Sequence, residues 1–262
     1  MPKNAIRLAG AAVMLLAGLS AGTAGAVELK VVCAGAMRTA LQELAPAFEK
    51  SSGHKLVIEY ALAGKVEEKI AADEAIDVVI LTKPRVDKLV GKAKLVGGTT
   101  ATLARAPVGV AVKKGAPKPD IGSVEAFKKS LLSAKSIAYI DPAGGADAQL
   151  HLVQVLDKLG IAAELKPKTK LISPGTLEGN PLAEAVKRGD AEIGMGPMGT
   201  LVGVDGIDVV GPLPAELQSP NLVFLAASPT VSEQPLPAKA LIDFLVGPSA
   251  KAVYKAKGME PG

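Results

Sequence analysis

The sequence has 262 residues, with 30 Lys and Arg against 26 Asp and Glu, a formal net charge of +4 and only 3% aromatic residues. That length is one large domain or two smaller lobes, and cations without interleaved aromatics give no support to nucleic-acid binding. Cys33 is the single cysteine, which excludes an internal disulfide, and two histidines with no CxxC or HExxH pattern leave a structural zinc site short of ligands.

Lys3 and Arg7 precede an apolar stretch over residues 8–19, and Ala24-Gly25-Ala26 supplies small residues for a cleavage site. This is the layout of a secretory signal peptide over residues 1–26, with a mature periplasmic chain starting near Val27. The apolar stretch is too short and too rich in Ala and Gly for a comfortable membrane span. Loss of Lys3 and Arg7 takes the formal charge from +4 to +2, so the mature chain is only weakly basic.

Residues 28–33 (ELKVVC) read as a buried strand, and residues 37–50 as a helix, with Leu41, Leu44, Ala45 and Phe48 at helical spacing. Residues 55–60 alternate as a second strand, 65–72 form a short helix, and 77–82 (DVVILT) form a continuous apolar strand. A helix begins at Pro84. This alternation argues for a parallel sheet covered by helices. The pattern restarts with strands at 108–112, 136–140, 170–172 and 191–195. Helices at 124–132, from Gly145 to Leu159, and at 182–188 separate them. Strands at 209–210 and 222–226 follow, and helices broken at Gly247-Pro248 close the chain. The fold class is α/β, with two lobes and a ligand cleft between them.

Two junctions run from a strand through small residues into a helix: Cys33-Ala34-Gly35-Ala36-Met37-Arg38 and Ile140-Asp141-Pro142-Ala143-Gly144-Gly145-Ala146. Small residues let a ligand approach the backbone, and helix N-termini favour an anion. Asp141 is expected to cap the helix that follows the second junction. Arg38 sits in a first helical turn, where the dipole disfavours a cation. Lys65 begins the next helix, and Lys83 and Arg85 follow the third strand. On one cleft rim these four would form a cationic site suited to carboxylates. The run Gly194–Gly199 mimics a phosphate loop, but Pro197 interrupts it and no P-loop lysine follows. It reads as a turn lining the cleft. Cys33 reads as a buried apolar residue, and His54 as a surface residue.

The stretches VVCAGAMRTALQELAPAFEKSSGHKLVIEY, AIDVVILTKPRVDKLV, SIAYIDPAGGADAQ, AVKRGDAEIGMG and IDFLVGPSAKAVYKAKGMEP resemble the type II periplasmic binding proteins, in particular their molybdate-binding branch. The resemblance implies lobe 1 at about 27–108 and 222–262, and lobe 2 at 109–221. It also exposes departures. Molybdate-binding members carry a serine where this chain has Ala36, another in the segment Ala61-Leu62-Ala63-Gly64, and a lobe 2 tyrosine near Gly194-Met195-Gly196-Pro197. A bare oxyanion needs many fixed neutral donors, and three are missing here.

The GAMR and DPAGGA turns, the segment Gly211–Gln218 and the KGMEP tail are similar to a branch of that family containing aconitate isomerases. That likeness implies an allylic proton shift on a polycarboxylate, needing no metal, nucleotide or redox cofactor. Arg38 would offset developing charge, and His151 and Tyr60 are candidate bases. Ala36, Met37, Arg38, Ala63, Gly64, Lys65, Lys83, Arg85, Ala143, Gly144 and Gly145 are the candidate substrate contacts. The competing reading is a monomeric solute-binding protein that hands an organic acid or oxyanion to a membrane transporter. Both readings expect a small anionic ligand as partner and no nucleic acid.

Overall fold

The computed structural model describes residues 25–174 and 179–262. The signal peptide expected over residues 1–26 therefore lies, up to residue 24, outside the described residues.

The chain opens with β1 (Glu28–Ala34), α1 (Arg38–Ser52), β2 (Lys55–Ala61), α2 (Ala63–Ala71), β3 (Val78–Thr82), α3 (Lys83–Gly91) and β4 (Ala101–Arg105). It crosses into β5 (Val108–Lys113), α4 (Val124–Ser133), β6 (Ile137–Ile140), α5 (Asp147–Lys158), α6 (Ala162–Leu165), β7 (Thr169–Ile172), α7 (Pro181–Arg188), β8 (Ile193–Pro197), α8 (Met198–Leu201) and β9 (Ile207–Pro212). It returns through β10 (Val223–Ala227), α9 (Pro235–Leu245), α10 (Pro248–Ala256) and β11 (Glu260–Pro261). The strands make two sheets, ordered β11-β4-β10-β3-β1-β2 and β7-β6-β8-β5-β9. Each sheet is the centre of one lobe.

Neither sheet is purely parallel. β2, β1 and β3 run parallel, whereas β10 lies antiparallel to both β3 and β4. In the second sheet β7, β6 and β8 are parallel, and β5 is antiparallel to β8 and β9. The crossing strands cause this. β5 enters the second lobe, and β10 leaves it, each against the direction of the βαβ units. Every residue of β3 is buried because helices cover both faces of its sheet, so its sequence shows no alternation.

β4 is half-exposed and β11 has two residues, so neither carries a strand pattern in the sequence. The run Gly194–Gly199 is not a turn. It is the end of buried β8 followed by α8. A Cβ on Gly194 would lie 2.5 Å from Val186 Cγ2, and one on Gly196 would lie 2.9 Å from Leu182 Cδ2. These glycines let α7 pack directly on the sheet. His54 is buried rather than at the surface, with Nδ1 accepting from the Val27 N–H at 3.4 Å.

The two crossings between lobes are tied together. Ala106 N–H donates to the Leu222 carbonyl at 3.0 Å. The Gln218 side chain accepts from Val108 N–H at 3.0 Å and donates to the carbonyls of Val108 and Leu213 at 2.9 and 3.0 Å. One amide side chain thus satisfies backbone groups on both sides of the hinge. In lobe 1, α10 returns to the core through Tyr254, which is 1% exposed and donates its hydroxyl to the Leu245 carbonyl at 2.9 Å. Tyr254→Phe leaves that buried carbonyl unpaired, and we expect a loss of about 1–2 kcal/mol, read from the urea midpoint. An unchanged midpoint would contradict this role.

Candidate functional site

Between the lobes lies a cavity of about 100 Å³. Lobe 1 lines it with Ala34, Gly35 and Ala36 after β1, Arg38 and Thr39 of α1, Leu62 and Ala63 at the start of α2, and Phe224 of β10. Lobe 2 contributes Ile140, residues 146–149 at the start of α5, residues 179–182 at the start of α7, Pro197 and Thr200. The N-termini of α1, α2 and α5 carry no side-chain cap. α1 and α2 also have no acidic residue in the first turn. Their backbone N–H groups and dipoles make a positive field at the cavity. α7 differs, because Asn180 Oδ1 caps it by accepting from Ala183 N–H at 3.1 Å.

Arg38 is the principal cation of this cavity. It is 8% exposed. Nη1 donates to the Gly179 carbonyl of lobe 2 at 3.0 Å, and the guanidinium carbon stands 4.8 Å from the centre of the Tyr60 ring. Burial lowers the Arg38 pKa from its ordinary value, although the neighbouring Tyr60 and Cys33 oppose that shift. Among the described residues it has no carboxylate partner. Burial also raises the Tyr60 phenol, Cys33 adds to the rise and Arg38 counters it, so the phenol stays protonated at neutral pH. Burial pushes the Cys33 thiol up in the same way, and the residue is wholly enclosed.

The other expected cations are engaged elsewhere. Lys65 and Lys83 are exposed and pair with Glu68 at 2.5 Å and Asp87 at 2.6 Å. Arg85 crosses between the lobes. Its Nε donates to both oxygens of Asp147 at 2.9 and 3.0 Å, and its Nη2 donates to Asp147 Oδ1 at 2.8 Å and the Gly145 carbonyl at 2.9 Å. Nη1 donates to Glu67 at 2.8 Å. Burial acts to lower the Arg85 pKa, but bonding to Asp147 and Glu67 outweighs it and the value rises.

Apart from Lys83, which borders none of these spaces, the sequence candidates fall into three groups. Ala36, Arg38 and Ala63 line the central cavity, with Met37 buried beside it. Tyr60, Gly64, Lys65, Ala143, Gly144 and Gly145 border a neighbouring opening on the rim. Arg85 and His151 border a third, with Glu67, Lys88 and Asp147. His151 Nε2 lies 2.7 Å from the Leu217 carbonyl and does not line the Arg38 cavity. Asp141 does not cap α5, whose N-cap position is Ala146 without a side-chain bond; it caps the short turn after β6 instead, accepting from Ala143 N–H at 2.9 Å.

Thr39, Asp147, Gln149, Asn180 and Thr200 reach the cavity without having been singled out in the sequence. Asn180-Pro181 was readable as a helix start, an N-cap before a first-turn proline. The others carry no local signal. The positions of the expected but missing hydroxyls are methyl groups, Ala36 and Ala63, and the second lobe offers Pro197.

Fold and cavity define a two-lobed type II periplasmic-binding architecture with a ligand space between its lobes. The chain belongs to the bacterial extracellular solute-binding protein family, which it matches over residues 29–260. It is 31% identical to an aconitate isomerase from Pseudomonas sp over 239 residues, 89% of this chain and 87% of that protein. It is 30% identical to the molybdate-binding protein ModA of Azotobacter vinelandii over 262 residues, 94% of this chain and 95% of that one. A solved periplasmic molybdate-binding protein from Azotobacter vinelandii superposes with a TM-score of 0.72 at 24% identity, covering 88% of this chain and 98% of that one.

The lobes meet closely beside the cavity. Thr39 Oγ1 donates to the Gly199 carbonyl. A Cβ on Gly199 would stand 2.9 Å from the Ala36 carbonyl oxygen and 2.6 Å from Met259 Cε. The methionine methyl can move, but the backbone carbonyl cannot without shifting the lobe. Gly199→Ala should therefore disfavour the closed arrangement by about 1–3 kcal/mol, seen as weaker ligand affinity at unchanged secondary structure. Wild-type affinity in that variant would refute the tight approach.

Proposed function

We propose that this chain is an exported isomerase that binds aconitate in the interlobe cavity and interconverts its cis and trans forms. The observation that carries the reading is Arg38, a buried cation facing the cavity with no carboxylate partner among the described residues. Burying a lone guanidinium is costly unless a ligand carboxylate completes it. The 31% identity to an aconitate isomerase supports the same conclusion.

In the proposed reaction a base takes one proton from the methylene next to a carboxylate, and the same group in its protonated form carries it to the far carbon. The double bond moves by one carbon, and a proton returns to the carbon that was vinylic. No electrons are gained or lost overall, and the intermediate bears extra negative charge on the carboxylate. Arg38 and the N-termini of α1, α2 and α5 are placed to stabilise that charge. Tyr60, kept protonated by burial and stacked on Arg38, does not take that proton, and it borders the neighbouring opening rather than the Arg38 cavity. His151 would act only at the neighbouring opening.

A solute-binding role without turnover is the second reading. Its support is the 30% identity to ModA across nearly the whole length of both proteins. Incubating purified protein with trans-aconitate and separating products by chromatography tests the two. Formation of cis-aconitate is the expected outcome, with Arg38→Ala lowering kcat/KM by about 100-fold or more through loss of a charge-assisted contact. Stoichiometric uptake of the acid with no product would leave the binding role and remove the isomerase.

A further inference from the structure

Asp147 is an acidic residue in the wall of a cavity whose other charged group is Arg38, among the described residues. It also borders the neighbouring opening that holds Arg85. Asp147 lines the same cavity as Arg38, so an anion bound there has a carboxylate-bearing residue in its wall, and like charges repel strongly where water is excluded. The carboxylate is tied down on the side of Arg85. That side chain spends three donor contacts on it, reaching both oxygens, and Thr82 Oγ1 also donates to Oδ2 at 2.7 Å. Glu67 takes the last arm of Arg85 and also pairs with Lys88. Arg85, Lys88, Glu67 and Asp147 together are formally neutral, and Arg85 is the member that joins both carboxylates. The pair also bridges lobes, since Arg85 lies in α3 and Asp147 opens α5.

We propose that Arg85 sets the charge specificity of the cavity without touching the ligand: it neutralises Asp147, so that the cavity shared with Arg38 admits an anion. This rests on the reading of the cavity as an anion site. It assigns Arg85 a role distinct from direct grip on substrate, and it makes Asp147 the determinant that would turn the site against anions if left bare.

The experiment is isothermal titration with trans-aconitate and, separately, with molybdate. Arg85→Gln is expected to weaken the anion that the wild type binds by about tenfold or more. Adding Asp147→Asn to Arg85→Gln is expected to recover most of that loss, because the unmasked carboxylate has gone. Arg85→Lys, which keeps the charge, is expected to bind far better than Arg85→Gln. If the double variant binds as weakly as Arg85→Gln, the proposal is overturned, since Arg85 then either contacts the ligand or serves only to hold the lobes. Should Arg85→Gln fail to fold by circular dichroism, Asp147→Asn alone decides. Removing the carboxylate should tighten the anion, and weaker binding would overturn the proposal. A wild type that binds neither anion removes the anion-site reading itself, and this inference with it, whereas wild-type binding without rescue removes this inference alone.

Discussion

Arg38 occupies the first turn of α1, where desolvation and the helix dipole both oppose a positive charge. Nothing in lobe 1 repays that cost in full. The Tyr60 face offers a cation–π contact, but the hydrogen bond to the guanidinium comes from lobe 2, through the Gly179 carbonyl. The cation is thus held by groups on both sides of the cleft, and a change in the separation of the lobes changes its surroundings. The positive ends of α1, α2 and α5 reinforce the same field. A sequence that places a cation at such a point accepts local instability, and local rules fail most often where a site is built.

Closure then becomes a question of which groups may touch. Backbone approaches backbone at Gly64 and Gly144, where a Cβ on Gly64 would lie 3.3 Å from the Gly144 carbonyl oxygen. Gly199 does the same against Ala36. The polar contacts across the cleft, from Thr39, Thr82 and Arg85, each satisfy a partner that closure would otherwise strip of water. The crossings have fastenings of their own in Gln218 and the Ala106–Leu222 pair, and Leu222 borders the same opening as Thr82, Arg85 and Asp147.

How much of this was legible depended on the range of the interaction. Buried β3, amphipathic α1 and the break at Gly247-Pro248 follow from local pattern and were readable. The two-lobed order was readable too, because each lobe repeats the alternation. β4 was not, since Ala101–Arg105 shows no period, and it becomes a strand only through pairing with β10 and β11. The mixed direction of the sheets was hidden for the same reason. At the site, Arg38 announced itself by sitting against the helix dipole. Arg85 was singled out as a cation of the cleft, but its pairing was not legible, because Asp147 lies in the other lobe and an arginine after a strand looks the same whether it meets solvent, ligand or carboxylate. His54 was misread because a turn histidine carries no sign of the Phe48 ring and Val27 N–H that enclose it.

The fold does not choose between holding an anion and transforming it, and relatives of both kinds are about equally similar in sequence. The choice falls on the donors. A compact tetrahedral oxyanion is best matched by a shell of neutral hydroxyls and amides at fixed distances. Of the neutral groups that reach this cavity, the Thr39 and Thr200 hydroxyls and Asn180 Nδ2 donate to backbone carbonyls, while Ala36 and Ala63 present methyl groups beside the Arg38 guanidinium. A planar, forked cation matches a planar carboxylate. It becomes more effective as negative charge builds on that carboxylate, which is the behaviour that separates stabilising a reaction from merely binding its substrate. A buried cation, with Asp147 of the same cavity already bonded to Arg85, retains that capacity for the ligand.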